Sequence, residues 1–347
     1  MSKLSPTDTK IQKQETMAEK TTEQVPPRIP LARLPTPLVK LERLSRSLGG
    51  PEIWLKRDDL TDTTASGNKL RKLEFNVAQA LEEGATRLIT AGGLQSNHCR
   101  ATAVVARQLG LECHLLLRGR EPDEADGNLF IDKLLGTSIS YLGQSEFDDL
   151  EQQVSSLINH YAGLGEKAFY IPVGASDEIG LWGYIEASQE LQQDFITHDI
   201  QPEYIVSAAG SGGTLGGLVI GRERYGLVSK PVAFNVSNDA EYFRAKITAD
   251  AAIWQQRYRQ TIKVTPTMVD VIDGYVGPGY ARADPIIFDT IKQLARLEGV
   301  ILDPVYTGKA FHGMIQEIKT GRFKDTKCLV FLHTGGIYGL FPQKASF

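Results

Sequence analysis

Past "PPRIPLARLPTPL", short β-branched or apolar runs alternate with longer segments of helical period, the pattern of a mostly parallel sheet flanked by helices. "ATRLITAGG" predicts a strand ending at glycines, "RATAVVARQLG" a helix stopped by Gly110, and "LECHLLLR" the next strand. Helix "NLFIDKLLG", strand "TSISYL", helix "FDDLEQQVSSLINHYAGLG" and strand "KAFYIPVG" follow. These β/α units, between about Thr86 and Gly174, suffice for a small sheet of their own. Helix "EIGLWGYIEASQELQQDF", strand "EYIVSAAG", helix "LGGLVIGRERYG" and strand "VAFNVS" continue the alternation. Strand "VDVIDGY", helices "PIIFDTIKQLARLEG" and "KAFHGMIQEIKTG", and strand "CLVFLHTGG" end it. The expected fold class is α/β, with two doubly wound, mostly parallel sheets whose ligands lie beyond the carboxyl ends of the strands.

Composition narrows the function classes. The 347 residues include 41% hydrophobic and 23% charged residues, globular values that leave room for two domains. A formal charge of -4 gives no electrostatic footprint for nucleic acid or an anionic membrane surface, and no run reaches the length of a membrane span. Cys99, Cys113 and Cys328 are odd in number and widely spaced, which argues against disulfides and structural zinc and for reduced thiols in a cytoplasmic setting. The first 28 residues, rich in Lys, Gln, Thr, Glu and Pro, read as a solvated, disordered tail.

Three stretches bear on chemistry. In "SGNKLRKLEF" the helix start carries Lys69, Arg71 and Lys72, against the preference of a helix N-terminus for anions. Leu70, Leu73, Val77 and Leu81 supply the buried stripe of that helix, and Lys69 and Lys72 share another face. That face is either a solvated basic surface or a lysine pair aimed at a carbonyl cofactor and its phosphate. "EYIVSAAGSGGTLGGL" is a strand, a glycine-rich turn and a helix start. Gly210, Gly212 and Gly213 allow backbone N–H groups to converge on an anion, and Ser211 and Thr214 add hydroxyls. The same turn serves a dinucleotide site or a purely structural bend, although its glycine spacing departs from G-x-G-x-x-G. "AGGLQSNHCRATA" places Ser96, Asn97 and His98 at a helix mouth, as an N-cap or as neutral donors for the carboxylate of a small amino acid. His98 has no second histidine at metal-ligand spacing, so no metal site is expected.

Taken together, "SGNKLRKLEF", "QSNH", "GSGGT", "GPGY", "DPVYTGKA" and "HTGG" resemble the family of 1-aminocyclopropane-1-carboxylate (ACC) deaminase and D-cysteine desulfhydrase, from about Leu34 to Phe341. These are pyridoxal-phosphate enzymes with the tryptophan-synthase β-subunit-like fold. The resemblance implies that Lys69 holds the cofactor covalently and shuttles the proton at the substrate Cα. It implies further that Lys72 and the turn Gly210, Ser211, Gly212, Gly213 and Thr214 bind the phosphate. Asn97 would hydrogen-bond the ring hydroxyl, Ser96 and His98 would sit near the substrate carboxylate, and Tyr280 and Tyr306 would approach the reacting carbon. Family deaminases carry glutamine at the position of His98. They also read D-P-V-Y-E and H-L-G-G where this chain has Thr307 and Thr334. A carboxylate beside the pyridine nitrogen keeps the ring a strong electron sink, which opening a substrate without a Cα proton needs; two hydroxyls do not. The threonine pair resembles the D-cysteine desulfhydrase branch, with pyruvate, hydrogen sulfide and ammonia as products. The alternatives are ACC deaminase, another β-eliminating lyase such as an L-cysteate sulfo-lyase, and, from a different class, a nicotinamide-dependent oxidoreductase or a catalytically silent binding module. The resemblance also implies a homodimer acting on a small amino acid. A small domain near residues 79–179 would be inserted into a large pyridoxal-phosphate domain formed by 29–78 and 180–347.

Overall fold

A computed structural model describes residues 23–347. Leu38–Lys40 (β1), Glu42–Leu48 (α1), Glu52–Lys56 (β2) and Asn68–Glu82 (α2) open the fold. Arg87–Gly93 (β3), Asn97–Gln108 (α3), Glu112–Arg118 (β4), Gly127–Leu134 (α4), Ser138–Leu142 (β5), Gln144–Asp148 (α5), Leu150–Gly163 (α6) and Ala168–Ile171 (β6) follow. Trp182–Thr197 (α7), Tyr204–Ala209 (β7), Gly213–Tyr225 (α8), Lys230–Asn235 (β8), Ala240–Arg257 (α9), Asp270–Ile272 (β9), Pro285–Glu298 (α10), Thr307–Lys319 (α11) and Cys328–Leu332 (β10) complete it.

The strands form two sheets. One is four-stranded, in the order β5-β4-β3-β6, and every pairing in it is parallel. The other is six-stranded, β1-β2-β10-β7-β8-β9, parallel except where β1 meets β2. The smaller sheet is drawn entirely from residues 87–171, and the chain enters and leaves it from the larger one.

Because side chains alternate across a strand, a parallel sheet covered on both faces needs strands that are apolar throughout. In β10, Leu329 and Phe331 join a core with Leu294 of α10 and Phe311 and Met314 of α11. Val330 and Leu332 point the other way, against Tyr184 and Leu191 of α7 and Leu218 of α8. In the small sheet, Leu115 and Leu117 face α3, while Leu116 packs with Val154 and Tyr161 of α6.

Several elements differ from the sequence reading. The helix expected over 147–165 is broken at Asp149 into α5 and α6. Helix α9 was not read from the pattern at all, although Phe243, Ile247, Ala251 and Trp254 form its buried stripe and Asp239 caps it by accepting from the Tyr242 N–H at 2.7 Å. The tail boundary also moves. Residues 1–22 lie outside the described residues, but Gln24 donates to the Tyr258 carbonyl, Arg28 pairs with Glu74 of α2 at 2.8 Å, and the Leu31 and Ala32 N–H groups donate to the same carboxylate. Cys99, Cys113 and Cys328 are buried free thiols.

Candidate active site

At the carboxyl ends of β3, β4 and β7 lies a cavity of about 270 Å³. Its wall includes Lys69, Ser96, Asn97, His98, Gly210, Ser211, Gly212, Thr214, Tyr280, Tyr306 and Thr334. Four helices begin there. Asn68 and Lys69 start α2, Asn97 and His98 start α3, Gly212 and Thr214 flank the start of α8, and Tyr306 caps α11. Helix N-termini present unpaired N–H groups and a partial positive charge, so the starts of α3 and α8 favour anions in this space, whereas the Asp303 carboxylate already takes the first N–H groups of α11 and the Thr334 carbonyl that of Asn68. No Asp or Glu lies among the described residues of that wall.

The helix start that carries the basic cluster divides its charges. Arg71 turns away into a buried network, binding Asp58 with Nε at 2.9 Å and one Nη at 2.7 Å and also pairing with Glu190. Lys69 and Lys72 turn instead toward Gly174 and Ser176, a segment that meets the glycine-rich turn through Ser211. Lys69 Nζ is 3.5 Å from the Gly174 carbonyl oxygen, and burial without a partner charge lowers its pKa to about 8. Lys72 is fully buried behind the cavity wall, its Nζ donating to Ser176 Oγ at 3.2 Å. Burial, with Lys69 nearby, pushes its pKa well below the usual lysine value. A neighbouring anion would reverse both shifts, because it favours the charged ammonium.

The turn from β7 to α8 is shaped for close approach. Gly212 has φ +87°, and a Cβ at Gly213 would stand 2.6 Å from Ser176 Oγ and 2.8 Å from Lys72 Nζ. Ser176 Oγ receives the Gly213 N–H at 3.2 Å and bonds Ser211 Oγ at 2.8 Å, while Asn68 Nδ2 donates to Thr214 Oγ1 at 3.0 Å. A lysine, two serines, a threonine and the N–H groups of a helix start therefore surround one small space, the donor set of a phosphate group.

Across the cavity, Ser96 caps α3 by accepting from the Cys99 N–H at 3.1 Å. The amide of Asn97 is oriented from behind. Its Oδ1 accepts from Asn128 Nδ2 at 3.1 Å and from Arg100 at 3.3 Å, leaving Nδ2 as a donor for the cavity. Arg100 in turn binds Asn128 Oδ1 and the Ser66 carbonyl, each at 2.7 Å, so α3, α4 and the start of α2 are tied together. His98 reaches the wall, but its imidazole is buried and its Nε2 lies 2.7 Å from Thr90 Oγ1. That hydroxyl also donates to the Ile171 carbonyl at 2.8 Å, so both bonds are satisfied only with the proton on Nε2. Burial drives the His98 pKa well down, and the ring is neutral.

The remaining wall comes from the C-terminal third of the chain. Tyr280 and Tyr306 join hydroxyls at 2.5 Å with their rings edge to face, and burial raises both phenol pKa values. Asp303 holds Tyr306 in place by accepting the N–H groups of Val305, Tyr306 and Thr307. Lys309 donates to the Val276 and Gly279 carbonyls at 2.7 and 2.9 Å and so fixes the loop that carries Tyr280.

One expected site residue is displaced. Thr307 does not line the cavity. It is fully buried, donates to Asp303 Oδ1 at 2.6 Å and accepts the Asp303 N–H at 2.9 Å, which uses its hydroxyl to complete the turn into α11. Thr334 does line the cavity, and its hydroxyl has no partner among the described residues. The sequence reading also missed Ser176, Arg100, Asn128 and Lys309. Ser176 and Asn128 lie outside every motif, while Arg100 and Lys309 sit within "AGGLQSNHCRATA" and "DPVYTGKA" but fix segments distant in sequence, which no local pattern reveals.

A fold with two mainly parallel sheets, a half-buried lysine at a helix start and a facing glycine-rich turn defines a pyridoxal-phosphate enzyme of fold type II. Residues 29–335 match the family model for "Pyridoxal-phosphate dependent enzyme", and the chain belongs to that family. It is 40% identical over 317 residues to a putative 1-aminocyclopropane-1-carboxylate deaminase of Thermotoga maritima, covering 91% of this chain and 98% of that one. It is also 40% identical over 321 residues to a D-cysteine desulfhydrase of Salmonella newport, covering 91% and 95%. A crystal structure of an ACC deaminase homologue superposes with a TM-score of 0.84 at 33% identity, over 92% of this chain and 95% of that one. Membership of that family sets aside the nicotinamide-dependent alternative.

Proposed function

We propose that this enzyme is a D-cysteine desulfhydrase, a carbon–sulfur lyase that releases pyruvate, hydrogen sulfide and ammonia. The observation that carries the reading is the absence of any carboxylate from the described cavity wall, where Thr334 offers a neutral hydroxyl in place of the deaminase pattern's leucine. Such a wall would offer the cofactor's pyridine nitrogen no anionic partner. A weaker electron sink suits loss of a Cα proton and of a good leaving group at Cβ, and suits ring opening of a substrate without that proton poorly.

When bound, pyridoxal phosphate supplies the electron sink that makes the substrate's Cα–H bond acidic. Lys69 is the residue that would hold it, since a pKa of about 8 in the cofactor-free protein leaves a useful fraction of neutral amine to capture it at physiological pH, and from its place on the cavity wall it would then move the Cα proton. Lys72, Ser176, Ser211, Thr214 and the N–H groups that open α8 would hold the phosphate. Asn97, with Nδ2 left free, would donate to the ring hydroxyl, and Ser96 with the N-terminus of α3 would orient the substrate carboxylate. His98 contributes through the backbone of that helix start, its neutral ring being engaged with Thr90. The Tyr280–Tyr306 pair holds one shared proton network at the reacting carbon.

ACC deaminase is the second reading, favoured by the Thermotoga relative's name. Loading the purified protein with pyridoxal phosphate and supplying D-cysteine, L-cysteine and ACC in parallel separates the two. Sulfide and pyruvate from D-cysteine, with no 2-oxobutyrate from ACC, is the expected result; ammonia and 2-oxobutyrate from ACC overturns it. The buried free thiols fit a reducing, cytoplasmic compartment. A homodimer, and a small domain of residues 79–179 inserted into a large one of 29–78 and 180–347, complete the reading; sedimentation and limited proteolysis test them.

A further inference from the structure

One cation of the cavity wall has no part in holding the cofactor. Arg118 is the last residue of β4, beside Gly93 of β3, at the strand ends where ligands of such sheets bind. Its guanidinium lies 5.5 Å from the ring centre of Tyr280 and 5.2 Å from that of Phe147, and both aromatic residues also line the cavity. No carboxylate pairs with it among the described residues, whereas most of the better-buried arginines do have one: Arg71 has Asp58 and Glu190, and Arg87 has Glu166. A half-buried guanidinium held between two rings and left without a counter-ion is pre-organised for an anion brought by the ligand.

The other anion receptors of the cavity are accounted for by the proposed function. The start of α8 with Lys72 suits the phosphate, and the start of α3 suits the substrate's α-carboxylate. Arg118 stands beside Tyr280, the tyrosine placed at the reacting carbon, so the part of the substrate left to meet it is the β-substituent. We propose that Arg118 is a specificity-determining residue that binds an anionic group on the β-carbon, a thiolate or a sulfonate. The site thereby prefers amino acids whose β-substituent carries negative charge. This inference rests on the β-eliminating reading above.

The test uses the cofactor-loaded enzyme and unreactive ligands. Propanoate and 3-sulfopropanoate differ only in the β-anion, and calorimetry gives their affinities for wild type, R118K and R118Q. Wild type is expected to bind 3-sulfopropanoate at least about tenfold more tightly than propanoate, as one charge-assisted contact provides. R118Q should abolish that preference while leaving propanoate affinity within about threefold, and R118K should retain part of it. In turnover, R118Q should lower kcat/KM more for D-cysteine and D-cysteate than for β-chloro-D-alanine, and comparing the first two separates thiolate from sulfonate recognition.

Equal affinities in wild type, or an undiminished preference in R118Q, overturns the proposal. So does an equal loss for both ligands, which would assign Arg118 a packing role against Tyr280 and Phe147. If no amino acid yields a keto acid while the ligand preference holds, the β-elimination reading fails and the anion site stands.

Discussion

Tyr280 and Tyr306 share a hydrogen bond of 2.5 Å between hydroxyls that come from a loop and from the cap of α11, 26 residues apart in the chain. Only one of the two donates in this bond, so the other phenol proton is free for the cavity. Replacing either by Phe removes the pair but leaves the ring packing. Each single variant is expected to lose about 10²-fold in kcat, the usual scale for a positioned proton-transfer group. The double variant should lose little more, because the hydroxyls act as one unit. Steady-state kinetics of the three variants tests this, and additive losses would count against a shared role.

The Lys69 pKa of about 8 has a kinetic consequence. Only the neutral amine attacks a carbonyl, so capture of pyridoxal phosphate by cofactor-free protein should rise with pH, about tenfold per unit below 8, and level off above it. Stopped-flow absorbance across pH 6 to 10 measures this. A rise that continues toward the ordinary lysine value would show that burial does not depress the group.

Gly213 leaves no room for a methyl group, since a Cβ there meets Ser176 Oγ and Lys72 Nζ. Gly213→Ala is expected to weaken cofactor binding by about 10²-fold, equivalent to roughly 3 kcal/mol. Equilibrium dialysis with pyridoxal phosphate is the measurement. Retention of full affinity would place the phosphate elsewhere.

Asn128 orients Asn97 from a different helix and also receives Arg100. Asn128→Leu leaves a buried guanidinium short of an acceptor, so a stability loss of about 1–3 kcal/mol is expected together with weaker binding of pyridoxal phosphate. Denaturant unfolding and cofactor titration measured side by side check it. Unchanged cofactor affinity would mean that Asn97 holds its orientation alone.

Thr307 and Thr334 separate in their behaviour. Thr307→Glu sets a second carboxyl against buried Asp303, so about 3–5 kcal/mol of stability should be lost, with poor expression as the visible result. Thr334→Leu changes the cavity wall without touching a hydrogen bond of its side chain and should fold normally with altered sulfide release. Thermal melting of both variants decides the matter, and comparable stabilities would refute the Asp303 role.

Much of this architecture was already legible in the sequence. Period-2 and period-3.6 runs, with glycines at their ends, specify strands and helices because backbone geometry repeats locally. The basic helix start, the glycine-rich turn and the "QSNH" segment were recognisable for the same reason: each is contiguous, and its chemistry follows from a few adjacent residues. Contiguity does not reveal direction. Lys69, Arg71 and Lys72 differ little in sequence, yet Arg71 faces Asp58 and Glu190 while the two lysines face Gly174 and Ser176, because packing of α2 on α7 decides which side of the helix meets which partner. Thr307 and Thr334 looked alike for a similar reason, and only the fold of the Asp303 turn assigns one to structure and the other to the cavity. What tertiary structure alone decided is the convergence of four helix starts on one cavity whose described wall carries no carboxylate. Those residues lie as far apart as Asn68 and Tyr306, and no local rule relates them until the two sheets bring their strand ends together.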